Sequence, residues 1–157
     1  YQFQNLANAK IRGFELEGVY DAAWGFAGLS LTVTDGYAVS YDGTREDLLS
    51  VTPVQVTGQL GFRFVEDRLV VGGEVQYNAG RDYSYLDDGD WVSYDVDSYT
   101  LVNLFASYQA NDNLRVNFRV DNLLNETYQN ALNAASMAGF YEPGITAKIG
   151  ATMRFGG

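Results

Sequence analysis

The 157-residue chain contains neither cysteine nor histidine. Without cysteine there is no disulfide framework and no thiol chemistry. Without histidine there is no imidazole base, and every Ser-His or Cys-His catalytic arrangement is ruled out. Proline occurs only twice. Basic residues are scarce, with 10 Lys and Arg against 20 Asp and Glu, and the net charge of −10 argues against nucleic acid as a partner. No stretch approaches the roughly 18 consecutive apolar residues that a transmembrane helix needs. That does not exclude a bilayer, because barrel strands alternate and average to a mildly hydrophilic score. Nor does a leader sequence open the chain. Tyr1-Gln-Phe-Gln4 already reads as the inside of a strand, so the chain is expected to be either mature with an unusual start or a piece of something larger.

What the chain does have is aromatic rings and glycine: 12 Tyr, 9 Phe and 17 Gly, a composition that favours strands over helices. The segment Thr146–Phe155 shows the pattern most plainly. Ala147, Ile149, Ala151, Met153 and Phe155 alternate with Thr146, Lys148, Gly150, Thr152 and Arg154. A period of two puts one set on each face of a strand, one greasy and one charged. Residues 1–22, 26–41, 54–64, 69–81, 99–108 and 114–121 repeat it, which makes about seven strands. Asp35 interrupts the apolar face of the second, where that strand is expected to leave the hydrocarbon.

Two regularities separate a membrane barrel from a soluble sandwich. The connections alternate between short (21–25, 65–68, 109–113) and long (42–50, 81–97, 122–144), as periplasmic turns and extracellular loops do. Aromatics on the greasy face also gather at its ends. Tyr20, Trp24, Phe26, Phe62, Phe64, Tyr108 and Phe155 fall beside short turns, and Tyr37, Tyr41 and Tyr77 toward long loops. Rings at both ends of an apolar band read as interfacial girdles. The opposite face, with Glu15, Glu17, Gln59, Arg63, Glu74, Asn103, Arg115, Arg119 and Lys148, is too polar for a small dry core and suits a wet lumen. Seven antiparallel strands cannot close simply, and an open sheet in lipid leaves two rows of unpaired backbone groups. Pairing with strands outside this chain is therefore expected.

Several segments resemble TonB-dependent outer-membrane receptors. Ala9-Lys-Ile-Arg-Gly-Phe-Glu-Leu-Glu17 is similar to a barrel strand of that family, and Asp121-Asn-Leu-Leu-Asn-Glu-Thr-Tyr128 to its segment near the C-terminus. Pro143-Gly144 and the final strand follow in the family's order. Lys148, Gly150, Met153 and Phe155 match the terminal signal read by the outer-membrane assembly machinery. Ile145 stands where the family often has Arg, and Gly156-Gly157 follow the usually terminal Phe. The resemblance implies an all-β, antiparallel transmembrane β-barrel. Residues 1–157 would form about seven C-terminal strands of a 22-stranded barrel in the bacterial outer membrane. It further implies an N-terminal plug, energisation through the TonB complex, and uptake of a scarce nutrient such as haem or a ferric siderophore. Implied partners are the remaining strands and plug, outer-membrane lipid and lipopolysaccharide, and a haem-carrying protein. No cofactor is expected to reside in this chain.

Within the chain, loop 81–97 offers Tyr83, Tyr85, Trp91 and Tyr94 as a substrate-binding platform, because aromatic rings bring large contact area with few torsions to freeze. The bland alternative is a solvated loop whose rings pack on one another. Asp87-Asp-Gly-Asp90 lacks the spaced ligands of a calcium loop, and no metal site is expected. Glu15 and Glu17 read as lumen charges rather than a catalytic pair. A self-contained small barrel of structural or adhesin type is the alternative if an eighth strand exists. An enzyme barrel fits poorly without histidine.

Overall fold

The structure is a computed structural model that describes residues 8–41, 43–48, 50–87, 90–135 and 140–155. In chain order its elements are β1 (Asn8–Ala22), β2 (Gly25–Val39), β3 (Arg45–Asp47), β4 (Val54–Phe64), β5 (Leu69–Asn78), β6 (Arg81–Asp87), β7 (Asp90–Val96), β8 (Tyr99–Asn111), β9 (Leu114–Asp121), α1 (Ala131–Ala135) and β10 (Thr146–Met153). Seven strands pair in the order β1-β2-β4-β5-β8-β9-β10, all antiparallel, with β3 appended to β2. These are the seven strands the alternation predicts. No further strand pairs with the outer edges of β1 and β10 among the described residues, so the sheet does not close on itself.

The register sorts the side chains as expected. Phe14↔Val33 and Leu16↔Leu31 share one face, as do Leu60↔Gly73, Ala106↔Phe118 and Ile149↔Phe118. Glu15↔Thr32, Gln59↔Glu74, Ser107↔Asn117 and Lys148↔Arg119 share the other. The greasy face is uncovered: Phe14 is 60% exposed and Ile149 80%. A continuous apolar surface of this extent is not stable in water, and lipid is the solvent that satisfies it. The few buried apolar residues, Ala38, Val51, Leu101 and Ala134, belong to the long-loop end rather than to a central core.

Four expectations are modified. Phe26 does not belong to the outer aromatic row. It pairs with Gly61 and lies on the lumen face, its ring stacked 6.3 Å from Phe105, with the Arg63 guanidinium 5.6 Å away. A β-carbon at Gly61 would collide with the Phe26 ring, and one at Gly72 with Phe105, so two glycines open the space for the pair. Second, loop 81–97 is a two-stranded hairpin, β6 on β7, paired from Arg81↔Val96 to Asp87↔Asp90. At alternate register positions Tyr83 meets Tyr94 and Tyr85 meets Val92, while Asp82 meets Asp95 and Ser84 meets Ser93 between them. Third, strand ends differ: β5 stops at Asn78, β8 runs to Asn111 through a bulge after Gln109, and β10 ends at Met153. Finally, β2 continues past Asp35 to Val39, and the carboxylate of Asp35 meets Arg12 at 3.0 Å across the ladder.

Candidate functional site

Three strands project a connected set of charges from the lumen wall. The Arg119 guanidinium reaches Glu74 at 3.1 Å and also pairs with Asp121, whose second oxygen accepts from Lys148 Nζ at 2.6 Å. Asn103 Nδ2 donates to the same Glu74 oxygen at 2.9 Å. Asn103–Glu74 and Lys148–Asp121 bridge adjacent strands, Arg119–Asp121 lies along β9, and Arg119–Glu74 reaches across β8 from β9 to β5. Near the short turns, Arg63 makes a two-pronged contact with Asp21 at 2.7 and 3.0 Å and donates to the Ala22 carbonyl. Glu15 and Glu17 take lumen-face positions on β1, as the alternation predicts.

The segment after β9 is organised by one asparagine. Asn122 is 3% exposed, with a left-handed backbone at φ 53°. Its backbone N–H donates to Asn103 Oδ1 at 2.9 Å, and its Oδ1 accepts from the Glu126 N–H at 2.8 Å. Its Nδ2 donates to the carbonyls of Glu126 and Pro143 at 2.8 and 3.3 Å. Asn125, also left-handed at φ 54°, accepts from the Ile145 N–H through Oδ1 at 3.1 Å. Asparagine tolerates this backbone region because its short polar side chain bonds locally. Together these bonds tie the start of the long connection to its end at Pro143-Gly144. Farther along, Asn130 caps α1 by accepting from the Asn133 N–H at 2.8 Å. The Glu142 carboxylate accepts from the side-chain amides of both asparagines.

Tyrosines layer over this connection. The Tyr128 ring lies 4.3 Å from that of Tyr99, and burial, followed by the nearby Glu142 and Asp121 carboxylates, pushes the Tyr128 phenol above its ordinary range. Tyr94 Oη donates to Gln129 Oε1 at 3.1 Å, which joins the β6–β7 hairpin to the same layer. Between hairpin and connection is a cavity of about 340 Å³ lined by Tyr94, Tyr99, Tyr128 and Tyr141 with Asp95, Asp97 and Glu126.

Of the four predicted platform residues, Tyr94 thus borders a cavity. In the ladder Tyr83 is opposite Tyr94, Tyr85 opposite Val92 and Trp91 opposite Leu86. The side chains of Tyr83, Tyr85 and Trp91 lie outside the described residues, as do Asp88 and the side chain of Asp87. Tyr99, Tyr128 and Tyr141 were not singled out for binding. Only Tyr128 carried a signal, as the last position of the Asn-rich segment. The four assembly-signal residues divide between faces, with Lys148 and Gly150 toward the lumen and Met153 and Phe155 outward, Phe155 being 85% exposed.

A two-faced open sheet, a charged inner wall and layered outer loops specify an architecture that recurs in known proteins. Residues 1–123 match the family model described as TonB dependent receptor-like, beta-barrel. The chain belongs to this family. TonB-dependent receptor barrels reside in the bacterial outer membrane, so the long connections of this one face outward. Heme/hemopexin utilization protein C of Haemophilus influenzae (strain 86-028NP) is 30% identical over 159 residues, covering 98% of this chain and 21% of that protein. The ferripyoverdine receptor of Pseudomonas aeruginosa is 26% identical over 152 residues, covering 91% and 18%. Among solved structures, the FrpB iron transporter from Neisseria meningitidis (F3-3 variant) superposes with a TM-score of 0.79 at 18% identity, covering 94% of this chain and 24% of that one, a likeness of fold. The chain spans about a fifth of the length of the curated relatives it matches. In this TonB-dependent receptor barrel, the sheet edges at β1 and β10 are where the neighbouring barrel strands belong.

Proposed function

We propose that this chain is the C-terminal part of the barrel of an active-transport receptor that takes up chelated iron, as haem or a ferric siderophore, energised through TonB. The observation that carries the reading is the wall itself. Its lumen face is charged and hydrogen-bonded across four strands, which suits contact with water and a plug domain rather than a packed core. The names of relatives, heme/hemopexin utilization protein C and the ferripyoverdine receptor, support a cargo among iron chelates. The tyrosine layer around Tyr94, Tyr99 and Tyr128 is the part of this chain best placed to meet such a cargo, with Tyr83, Tyr85 and Trp91 of the hairpin beside it. The remaining barrel strands and plug complete the receptor, and a haem-carrying protein is a candidate extracellular partner. Transport rather than catalysis is the reading, because the family whose model the chain matches is one of receptors.

The test uses the full-length receptor in a strain lacking its own iron receptors. Growth with haem or a ferric siderophore as sole iron source is expected, and a protonophore should abolish uptake of the labelled chelate. Growth on neither, or uptake indifferent to the protonophore, would overturn the proposal.

A further inference from the structure

The greasy face changes character at one row of the ladder. From Phe14↔Val33 down to Tyr20↔Ala27 it is apolar, and one row above it stands the Arg12–Asp35 pair. The next outward row holds Lys10 opposite Tyr37, and beyond it Asn8, Val39 and Arg45 share a row. The Arg45 guanidinium lies 3.7 Å from the centre of the Tyr37 ring. A cation over a tyrosine face is held in place without being neutralised. Neither Lys10 nor Arg45 has a carboxylate within ion-pair distance among the described residues. Of the described acids near this patch, Asp35 is matched by Arg12 and Asp47 by Arg81 at 3.0 Å, while Glu46 takes the alternate register position opposite Ala38. Among the described residues, two cations without a carboxylate partner and one paired cation therefore share one outward-facing patch, in a chain of net charge −10.

The height of the patch identifies what it meets. Lys10 lies ten residues from Tyr20, which borders the short-turn end. At about 3.3 Å per residue and a tilt of about 40°, that is about 25 Å along the membrane normal, the height of the apolar band of such barrels. The patch thus stands at the headgroup level of the outer leaflet, on the lipid side. The leaflet there is a glycolipid whose sugar headgroup carries phosphates. We infer that Lys10, Arg12 and Arg45, with Tyr37 as their platform, form a binding site for the phosphorylated headgroup of an outer-leaflet glycolipid. Tyr37 supplies the amphipathic ring suited to this depth, and the two unmatched cations supply the charge that phosphate requires. The site is independent of what the receptor transports.

The experiment takes the full-length receptor, stripped of lipid in mild detergent, and titrates it with bisphosphorylated lipid A or the same lipid after dephosphorylation. Native mass spectrometry counts bound lipids. The wild type is expected to hold the phosphorylated form in preference. At about fivefold per cation near a membrane surface, the K10A/R45A variant should bind one lipid roughly 25-fold more weakly. K10R/R45K should keep that lipid, and R68A, in a short turn at the other end, should leave binding unchanged. Heat-modifiable migration on gels shows that each variant is folded. Equal retention of the dephosphorylated lipid, or an unchanged count in folded K10A/R45A, would overturn the inference. Inorganic phosphate binding as tightly as the lipid would also overturn it, since the site would then recognise a free anion.

Discussion

Replacing Asn122 by alanine should loosen the whole connection between β9 and β10 while leaving the sheet intact. The side chain makes three hydrogen bonds, to Glu126 N–H at 2.8 Å, Glu126 C=O at 2.8 Å and Pro143 C=O at 3.3 Å, from a nearly fully buried position. Each is worth about 1 kcal/mol net. Alanine at φ 53° adds about 1 kcal/mol of backbone strain that asparagine largely avoids. The expected cost is about 4 kcal/mol, confined to residues 122–145, and it raises the open population of that segment by two to three orders of magnitude. Asn122→Asp keeps the acceptor and the tolerated backbone but loses the Nδ2 donor, so its effect should be smaller. Chymotrypsin digestion of the full-length receptor in detergent reads this directly, through cleavage after Tyr128, Phe140 and Tyr141. Cleavage rate follows the open population when reclosing is fast. If Asn122→Ala were cut within about threefold of the wild-type rate, the bracket would not hold the segment closed and the argument would fail.

Other expectations follow from the two faces and the loop layer. Leu16→Arg puts a charge on the lipid face and should destabilise the assembled barrel by about 2–4 kcal/mol in urea unfolding from vesicles, whereas Ser30→Arg on the lumen face should cost under about 1 kcal/mol; equal effects would refute the assignment of faces. Gly61→Ala forces a methyl into the Phe26 ring and should cost about 1–3 kcal/mol. Most of that cost should vanish against a Phe26→Ala background, and full additivity in the same urea assay would count against the stack. The raised pKa of Tyr128 means the folded loop holds its phenol proton more tightly than the open loop, whose ordinary value is 10.0. That contribution is fully present below about pH 10 and is lost as pH rises through the folded value. Chymotryptic cleavage of the loop, corrected for enzyme activity, should therefore accelerate above pH 10, and Tyr128→Phe should weaken the acceleration.

The strand count, the two faces and the sorting of short and long connections were readable because barrel strands obey a period of two over many residues. Phe26 reads as a girdle residue because it is aromatic and beside a turn, although alternation with Ala27, Leu29 and Leu31 outward sets it on the lumen face. What the sequence does not show is the room for that ring, which Gly61 provides across the ladder from a position 35 residues away. The β6–β7 hairpin is hard to read from the sequence because each arm is only seven residues long and five aspartates with a glycine crowd residues 82–95. Composition therefore reads as loop, although the ladder pairs Tyr83 with Tyr94 and Tyr85 with Val92. The role of Asn122 was visible only as part of a family-like segment, since the bonds that explain it reach forward to Glu126 and Pro143.

By itself the sequence determined that this is a chain of membrane-crossing strands, because its hydrophobicity repeats at the strand period and its missing histidines and cysteines remove the competing chemistries. It also determined that seven strands need neighbours, because an odd antiparallel sheet cannot close. Only the tertiary structure decided which distant residues meet. The Glu74–Arg119–Asp121–Lys148 chain, the Tyr94–Tyr99–Tyr128 layer and the Lys10–Tyr37–Arg45 patch each join residues from different strands and loops. Their partners are set by register, and register is a property of paired strands rather than of any one of them.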